Sequence, residues 1–188
     1  MKLDKLAKNI MEKQKKNIAL MGHMGSGKSV LGKLISKQLN FNHVDSDKLI
    51  EKKSNKTINE IFQTKGESYF RLIEENVILE TIYQKKLVLS LGGGSILSPK
   101  IRNALKGNFL TVFLDVDFAI LSKRLIKSKR RPLINDTNIE EKIKELDAIR
   151  RKFYLLADIT LKNHLTITDA FAEFRKKYIE FYEKYNSN

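Results

Sequence analysis

The sequence predicts an α/β fold of three layers, α/β/α, around a five-stranded parallel sheet, and three observations carry that prediction. Five short apolar runs (Asn17–Met21, Asn40–Val44, Leu87–Leu91, Leu110–Leu114 and Asp158–Leu161) alternate with segments of helical period. Such runs suit strands buried on both faces, as in a parallel sheet covered by crossover helices. Polar or glycine-rich turns directly follow the first three runs: Gly22–Ser29, Asp45-Ser46-Asp47 and Gly92-Gly93-Gly94. Right-handed crossovers bring the carboxyl ends of parallel strands to one rim, so these distant turns are expected to converge there.

The helices follow in order. Residues 3–14 form an amphipathic pattern on Leu3, Leu6, Ala7, Ile10 and Met11, an N-terminal extension over residues 1–16. Val30, Leu31, Leu34, Ile35 and Leu39 mark the helix after the first strand. Lys48-Leu49-Ile50-Glu51 follows a plausible cap at Asp45-Ser46-Asp47. Thr57-Ile58-Asn59-Glu60 is a capping box that opens a short helix to about Lys65, with a longer helix from Glu67 to Tyr83. Ser98-Pro99 starts another, because proline in the first turn lacks only an N–H that would go unbonded anyway; Gly107 ends it. A helix follows Leu114 through about Ile126, a polar, basic stretch with Pro132 spans 127–138, and a helix runs from Ile139 to Leu156. The last runs from Thr168 to Tyr182, with Lys184–Asn188 frayed.

Composition narrows the classes. A chain of 188 residues, 41% hydrophobic and 31% charged, reads as one soluble globular domain over 1–188. No apolar run approaches the roughly 20 residues of a membrane span, and no secretory leader pattern is present. Zero cysteines exclude disulfides and thiolate chemistry, and the expected location is the cytoplasm. The net charge of +14 allows a nucleic-acid or membrane partner, but the lysines are scattered along the chain and form no basic stripe interleaved with aromatics. No nucleic acid and no membrane is therefore the expectation. Arginine is scarcer and more informative, because its rigid fork grips carboxylate or phosphate. Of the eight, Arg71, Arg124, Arg130, Arg131, Arg150 and Arg151 lie in segments facing the expected rim; Arg102 and Arg175 do not.

Gly22-His23-Met24-Gly25-Ser26-Gly27-Lys28-Ser29 fits G-x-x-x-x-G-K-[ST] at every fixed position, between a strand and a helix. Its glycines let backbone N–H groups converge on phosphate oxygens, and the helix N-terminus adds its positive end. Gly25, Ser26, Gly27, Lys28, Ser29 and Val30 are the candidate nucleotide-binding residues. Lys28 would reach the β- and γ-phosphates, and the Ser29 hydroxyl would ligate Mg²⁺. The chain is expected to bind a nucleoside triphosphate.

Together these marks resemble the shikimate kinase family, P-loop enzymes of the nucleoside monophosphate kinase type. The resemblance runs from about Asn17 to Tyr178. It rests on the phosphate loop, Asp45-Ser46-Asp47, Phe70-Arg71 within F-R-x-x-E, Leu89-Ser90-Leu91-Gly92-Gly93-Gly94, and Arg131-Pro132-Leu133. The spacings are similar to the family's: nineteen positions from Lys28 to Asp47, twenty-four on to Arg71, twenty-two more to Gly93.

The resemblance implies a P-loop NTPase fold with a lid and substrate-binding helices. It also implies transfer of the γ-phosphate of ATP to the 3-hydroxyl of shikimate. Asp45 would hold a water of the Mg²⁺ shell, and Asp47 would bind the acceptor's hydroxyls and act as, or stand in for, a base; helix capping is the plain alternative for this pair. Arg71 would hold the acceptor carboxylate, although Glu74 and Glu75 lie at helical spacing to pair with it. A second arginine is implied in the later helix. Arg150 matches by position, and Arg151 stays open because Arg150-Arg151-Lys152-Phe153-Tyr154 lacks the family's proline. Gly92, Gly93 and Gly94 would set backbone N–H groups against the acceptor, or form only a tight turn. Residues 127–138 would be the lid, with Arg131 on the γ-phosphate; Arg124 would pack on adenine or lie solvated. His23 falls at a variable loop position, and His43 and His164 read as structural. ATP and shikimate are the expected partners of a monomer. A gluconate or nucleotide kinase is the enzyme alternative, and a P-loop nucleic-acid-binding protein the alternative outside that class.

Overall fold

The computed structural model describes residues 17–127, 139–162 and 166–186. The expected N-terminal helix, Arg130, Arg131 and nearly all of the expected lid, and His164 lie outside the described residues.

Five strands, β1 (Asn17–Met21), β2 (Asn42–Asp45), β3 (Leu87–Ser90), β4 (Phe109–Asp115) and β5 (Ile159–Lys162), form one sheet in the order β2-β3-β1-β4-β5. Every pairing is parallel, with Ile18 opposite Val88 and Leu110 on its two sides. Seven α-helices accompany it among the described residues: α1 (Lys28–Leu39), α2 (Ser46–Ser54), α3 (Ile58–Thr81), α4 (Pro99–Leu105), α5 (Phe118–Lys127), α6 (Ile139–Tyr154) and α7 (Ile167–Asn186).

Strand side chains alternate between two cores, which is why the strands read as unbroken apolar runs. Ile18, Leu20, Val88, Leu110, Val112 and Leu114 pack with Leu31 and Ile35 of α1 and Phe174, Tyr178 and Tyr182 of α7. Ala19, Met21, Leu87, Leu89 and Phe113 pack on the other face with Ile78, Ile101, Leu105 and Tyr154. A satellite core of Ile50, Ile61, Phe70 and Val77 joins α2 to α3, and Val116, Leu121, Ile139 and Ile143 join α5 to α6.

Several bounds differ from expectation for local reasons. Asn40 does not enter β2 but caps α1 in the left-handed region (φ 55°), which asparagine tolerates. Val30 and Leu34 are partly exposed, and only Leu31 and Ile35 of the expected stripe are fully buried. The capping box is present: Thr57 accepts from Glu60 N, and Glu60 accepts from Thr57 N. The two helices expected on either side of residue 66 run on as one element, broken at Gly66 (φ 80°, ψ 174°). Helix α6 stops at Tyr154, short of Leu156. Helix α7 continues to Asn186, past the expected end at Tyr182 and into the stretch expected to fray.

Candidate active site

β1 ends directly in the phosphate loop, and β3, its neighbour, runs into the glycine turn. The two therefore meet where the chain leaves the sheet in different directions, the place where open α/β sheets bind ligands. Gly27 caps α1 at φ 98°, a backbone that L side chains resist. Lys28 folds back across the loop, its Nζ donating to the carbonyls of Gly22 and His23, each at 2.8 Å. The Ser29 hydroxyl donates to Asp45 Oδ2. Asp45 also caps α2, accepting from Lys48 N at 3.3 Å, so capping and the contact to Ser29 occur together. One hydroxyl and one carboxylate side by side are hard oxygen donors, a set that suits Mg²⁺ held mainly by phosphate and water. Among the described residues no group of three or more His, Cys, Asp or Glu gathers as a metal cage.

Two cavities flank the loop. One, of about 290 Å³, lies between Gly25, Ser26, Gly27 and Val30 on one side and Leu161, Ile167 and Ala170 on the other. Arg124 lines it and donates to the carbonyl of Gly25 at 3.3 Å, so it is not a wholly solvated helix position. Val30 is exposed because it faces this cavity.

The larger cavity, of about 550 Å³, is lined by His23 and Met24 of the loop, Asp47 of α2, Arg71 and Glu74 of α3, Gly92–Gly94, and Arg150 of α6. The glycines admit close approach. A Cβ on Gly92 would lie 2.6 Å from both Asp47 Oδ1 and Glu74 Oε1, and one on Gly94 would collide with the Arg71 guanidinium. Arg71 pairs with Glu74 (2.7 Å) and Glu67 (3.0 Å) rather than with Glu75. Glu75 instead accepts from Ser98 and Lys100. Glu74 is buried, and that burial pushes its carboxyl above the usual range despite the Arg71 charge beside it.

Arg150 is 9% exposed, and its Nε has no hydrogen-bond partner among the described residues. Arg151 points elsewhere, its fork on both oxygens of Asp115 at 3.2 and 3.1 Å. Of the two arginines left open by the sequence, Arg150 is the one in the cavity. Tyr154, given no role by the sequence, donates its hydroxyl to Gly93 O at 2.6 Å, and burial pushes that hydroxyl's pKa up to about 12. His23 is buried too, bonded to Asp147 across 2.7 Å. His43 bonds Ser90 Oγ at 3.0 Å beside Gly32, between α1 and the sheet. A signal for α6 was present: Ile139, Ile143, Asp147, Arg150 and Tyr154 fall on one helical face, so a carboxylate and a guanidinium stand in an apolar stripe.

A phosphate loop on a parallel sheet, beside a cavity that presents two guanidinium groups and the carboxylates of Asp47 and Glu74, defines a P-loop phosphotransferase for a small anionic acceptor. The family model described as Shikimate kinase matches residues 24–180. The chain belongs to the shikimate kinase family. A shikimate kinase of Thermoanaerobacter pseudethanolicus is 36% identical over 165 residues, covering 87% of this chain and 96% of that one. Another, of a Sulfurihydrogenibium species, is 44% identical over 146 residues, 78% and 87% of the two chains. The structure of the shikimate kinase of Acinetobacter baumannii in complex with shikimate superposes with a TM-score of 0.81 at 33% identity, covering 92% of this chain and 95% of that one. No helix among the described residues is long and apolar enough to cross a membrane.

Proposed function

We propose that the chain transfers the γ-phosphate of ATP to the 3-hydroxyl of shikimate, giving 3-phosphoshikimate and ADP. The observation that carries this reading is that Asp47, Arg71, Arg150 and the Gly92–Gly94 turn line one cavity that shares a wall with the phosphate loop.

Phosphoryl transfer is mostly positioning and charge neutralisation, and the residue roles follow from that. The N–H groups of the loop around Gly25, Ser26 and Gly27 and the N-terminus of α1 cradle the phosphates. Lys28 leaves the carbonyls of Gly22 and His23 for phosphate oxygens. Ser29 and Asp45 would hold Mg²⁺ and its water, and the ion would neutralise triphosphate charge. Arg124 and Val30 border the base. Arg71, steadied by Glu67 and Glu74, and Arg150 grip the acceptor carboxylate. Gly92, Gly93 and Gly94 keep side chains out of its way. Asp47 orients the attacking hydroxyl and takes up its proton as the phosphoryl group arrives, or serves only to orient it, because a loose transition state needs little help from a base. Arg131, which lies outside the described residues, would meet the γ-phosphate and stabilise charge in the transition state. The chain forms one kinase domain and acts as a monomer in the cytoplasm.

The experiment is ADP release measured against shikimate, gluconate and nucleoside monophosphates, with the phosphorylated position assigned by NMR. Shikimate-dependent release with phosphate on the 3-hydroxyl is expected. Turnover of another acceptor with none of shikimate would overturn the reading, and rapid turnover by Asp47→Ala would remove the role given to that residue.

A further inference from the structure

His23 stands at the first variable position of the phosphate loop, yet its side chain turns inward and is 5% exposed. Its Nε2 meets Asp147 Oδ1 at 2.7 Å, a contact across 124 positions of sequence. A carboxylate only accepts, so Nε2–H donates. The imidazole stands edge-on to Tyr154 at 5.2 Å and to Phe118 at 6.4 Å. Asp147 lies three residues before Arg150 on α6, and its second oxygen is 3.5 Å from Arg151, which in turn grips Asp115 at the end of β4. The main chain of His23 is held as well, by the bond from Lys28 Nζ to its carbonyl.

A buried carboxylate with a hydrogen-bonded partner is a weak device for stability, because desolvating it cancels most of the attraction. An apolar side chain at position 23 would fill the space against Tyr154 and Phe118 as well. What the polar pair adds is direction: one donor, one acceptor and a fixed angle between the loop and α6. Burial lowers the pKa of His23, with the charges of Arg150 and Lys28 acting the same way and the bonded carboxylate of Asp147 acting against them.

We propose that His23 and Asp147 are a positioning pair: their bond sets α6 against the phosphate loop so that Arg150 is held ready for the acceptor carboxylate. The proposal rests on reading the larger cavity as the acceptor site. It also links the two substrates. Phosphate that draws Lys28 away from the His23 carbonyl loosens that backbone, and the His23 side chain carries the change to α6.

Steady-state kinetics on three variants test it. His23→Phe keeps a ring against Tyr154 and Phe118 but deletes the donor. Asp147→Leu deletes the acceptor from the α6 side and carries the same test should His23→Phe not fold. His23→Gln returns an amide N–H at about the same reach. The KM for shikimate should rise roughly tenfold in His23→Phe and in Asp147→Leu, about the size expected for one lost hydrogen bond to a charged group. The KM for ATP should stay within about threefold of wild type, His23→Gln should recover most of the loss, and the double variant should be no worse than the worse single. A raised KM for ATP with that for shikimate unchanged, a glutamine variant as poor as phenylalanine, or additive losses would overturn the pair. Wild-type protein inert toward shikimate would end the reading of the cavity and the pair with it. Normal wild-type turnover with unaltered acceptor KM in both single variants would end the pair alone.

Discussion

The two ends of the active cleft bind by different means. At the nucleotide end the main chain does most of the work: a glycine loop, the N-terminus of α1 and one lysine, all within Gly22–Ser29. At the acceptor end side chains do it, and they come from α2, α3 and α6 around the glycine turn after β3. Contacts between side chains, or from side chain to backbone, brace this end. Glu67 and Glu74 hold Arg71, Asp147 holds His23, and Tyr154 ties α6 to Gly93. A phosphate site therefore needs one short piece of chain in the right backbone conformation, whereas a selective acceptor site needs several elements packed correctly at once.

Substitutions separate the two ends. The largest effect is expected for Lys28→Ala, which removes the transferable charge at the loop: ADP release should fall by about 10³-fold or more, with the melting temperature nearly unchanged. A Lys28→Ala enzyme that keeps a tenth of its activity would mean that the main chain alone suffices. At the acceptor end Arg150→Lys replaces a fork with a point charge, and the KM for shikimate should rise about 10²-fold while that for ATP moves little. Gly94→Ala should act in the same direction, because its methyl group displaces the Arg71 guanidinium; about a tenfold loss in kcat/KM for shikimate is expected. Arg151→Lys should change either KM by less than about threefold, since its partially exposed bridge to Asp115 touches neither substrate.

The smallest effect is on stability rather than activity. Burial holds His23 and His43 below their ordinary pKa of 6.5. The unfolded chain then binds more protons than the folded one as pH drops beneath that value. The stability these residues contribute is complete above it and declines as pH falls. The melting temperature at about pH 5.5 should lie below that at about pH 7.5, with a smaller gap in His23→Gln. An equal gap in the two proteins would show that the His23 ring is not shielded.

The same division governs what could be read from the chain. The loop, the five strands and the converging turns were legible because periodicity, glycines and caps are local signals. The Thr57 capping box and the Gly107 stop belong to that class. Arg71, Asp47 and Arg150 became candidates by resemblance and spacing, not by local chemistry. Their neighbours were harder. Glu74 was visible as an i+3 partner of Arg71, but its burial against Gly92 depends on how α3 crosses the sheet. His23 read as a filler at a variable position because its partner is 124 residues away. The choice between Arg150 and Arg151 turned on Asp115, which lies at the end of β4 and draws Arg151 out of the cavity. Asn40 was misplaced for a simpler reason: it tolerates a left-handed cap. Val30, a candidate for the nucleotide, lines the smaller cavity rather than the core.

The most direct measurement compares the binding of shikimate with that of its methyl ester, which lacks the charge, by calorimetry on wild type and Arg150→Lys. If two forks hold the carboxylate, wild type should prefer the acid by about 10²-fold or more, and most of that preference should vanish in the variant. Equal binding of acid and ester by the wild-type protein would contradict the account.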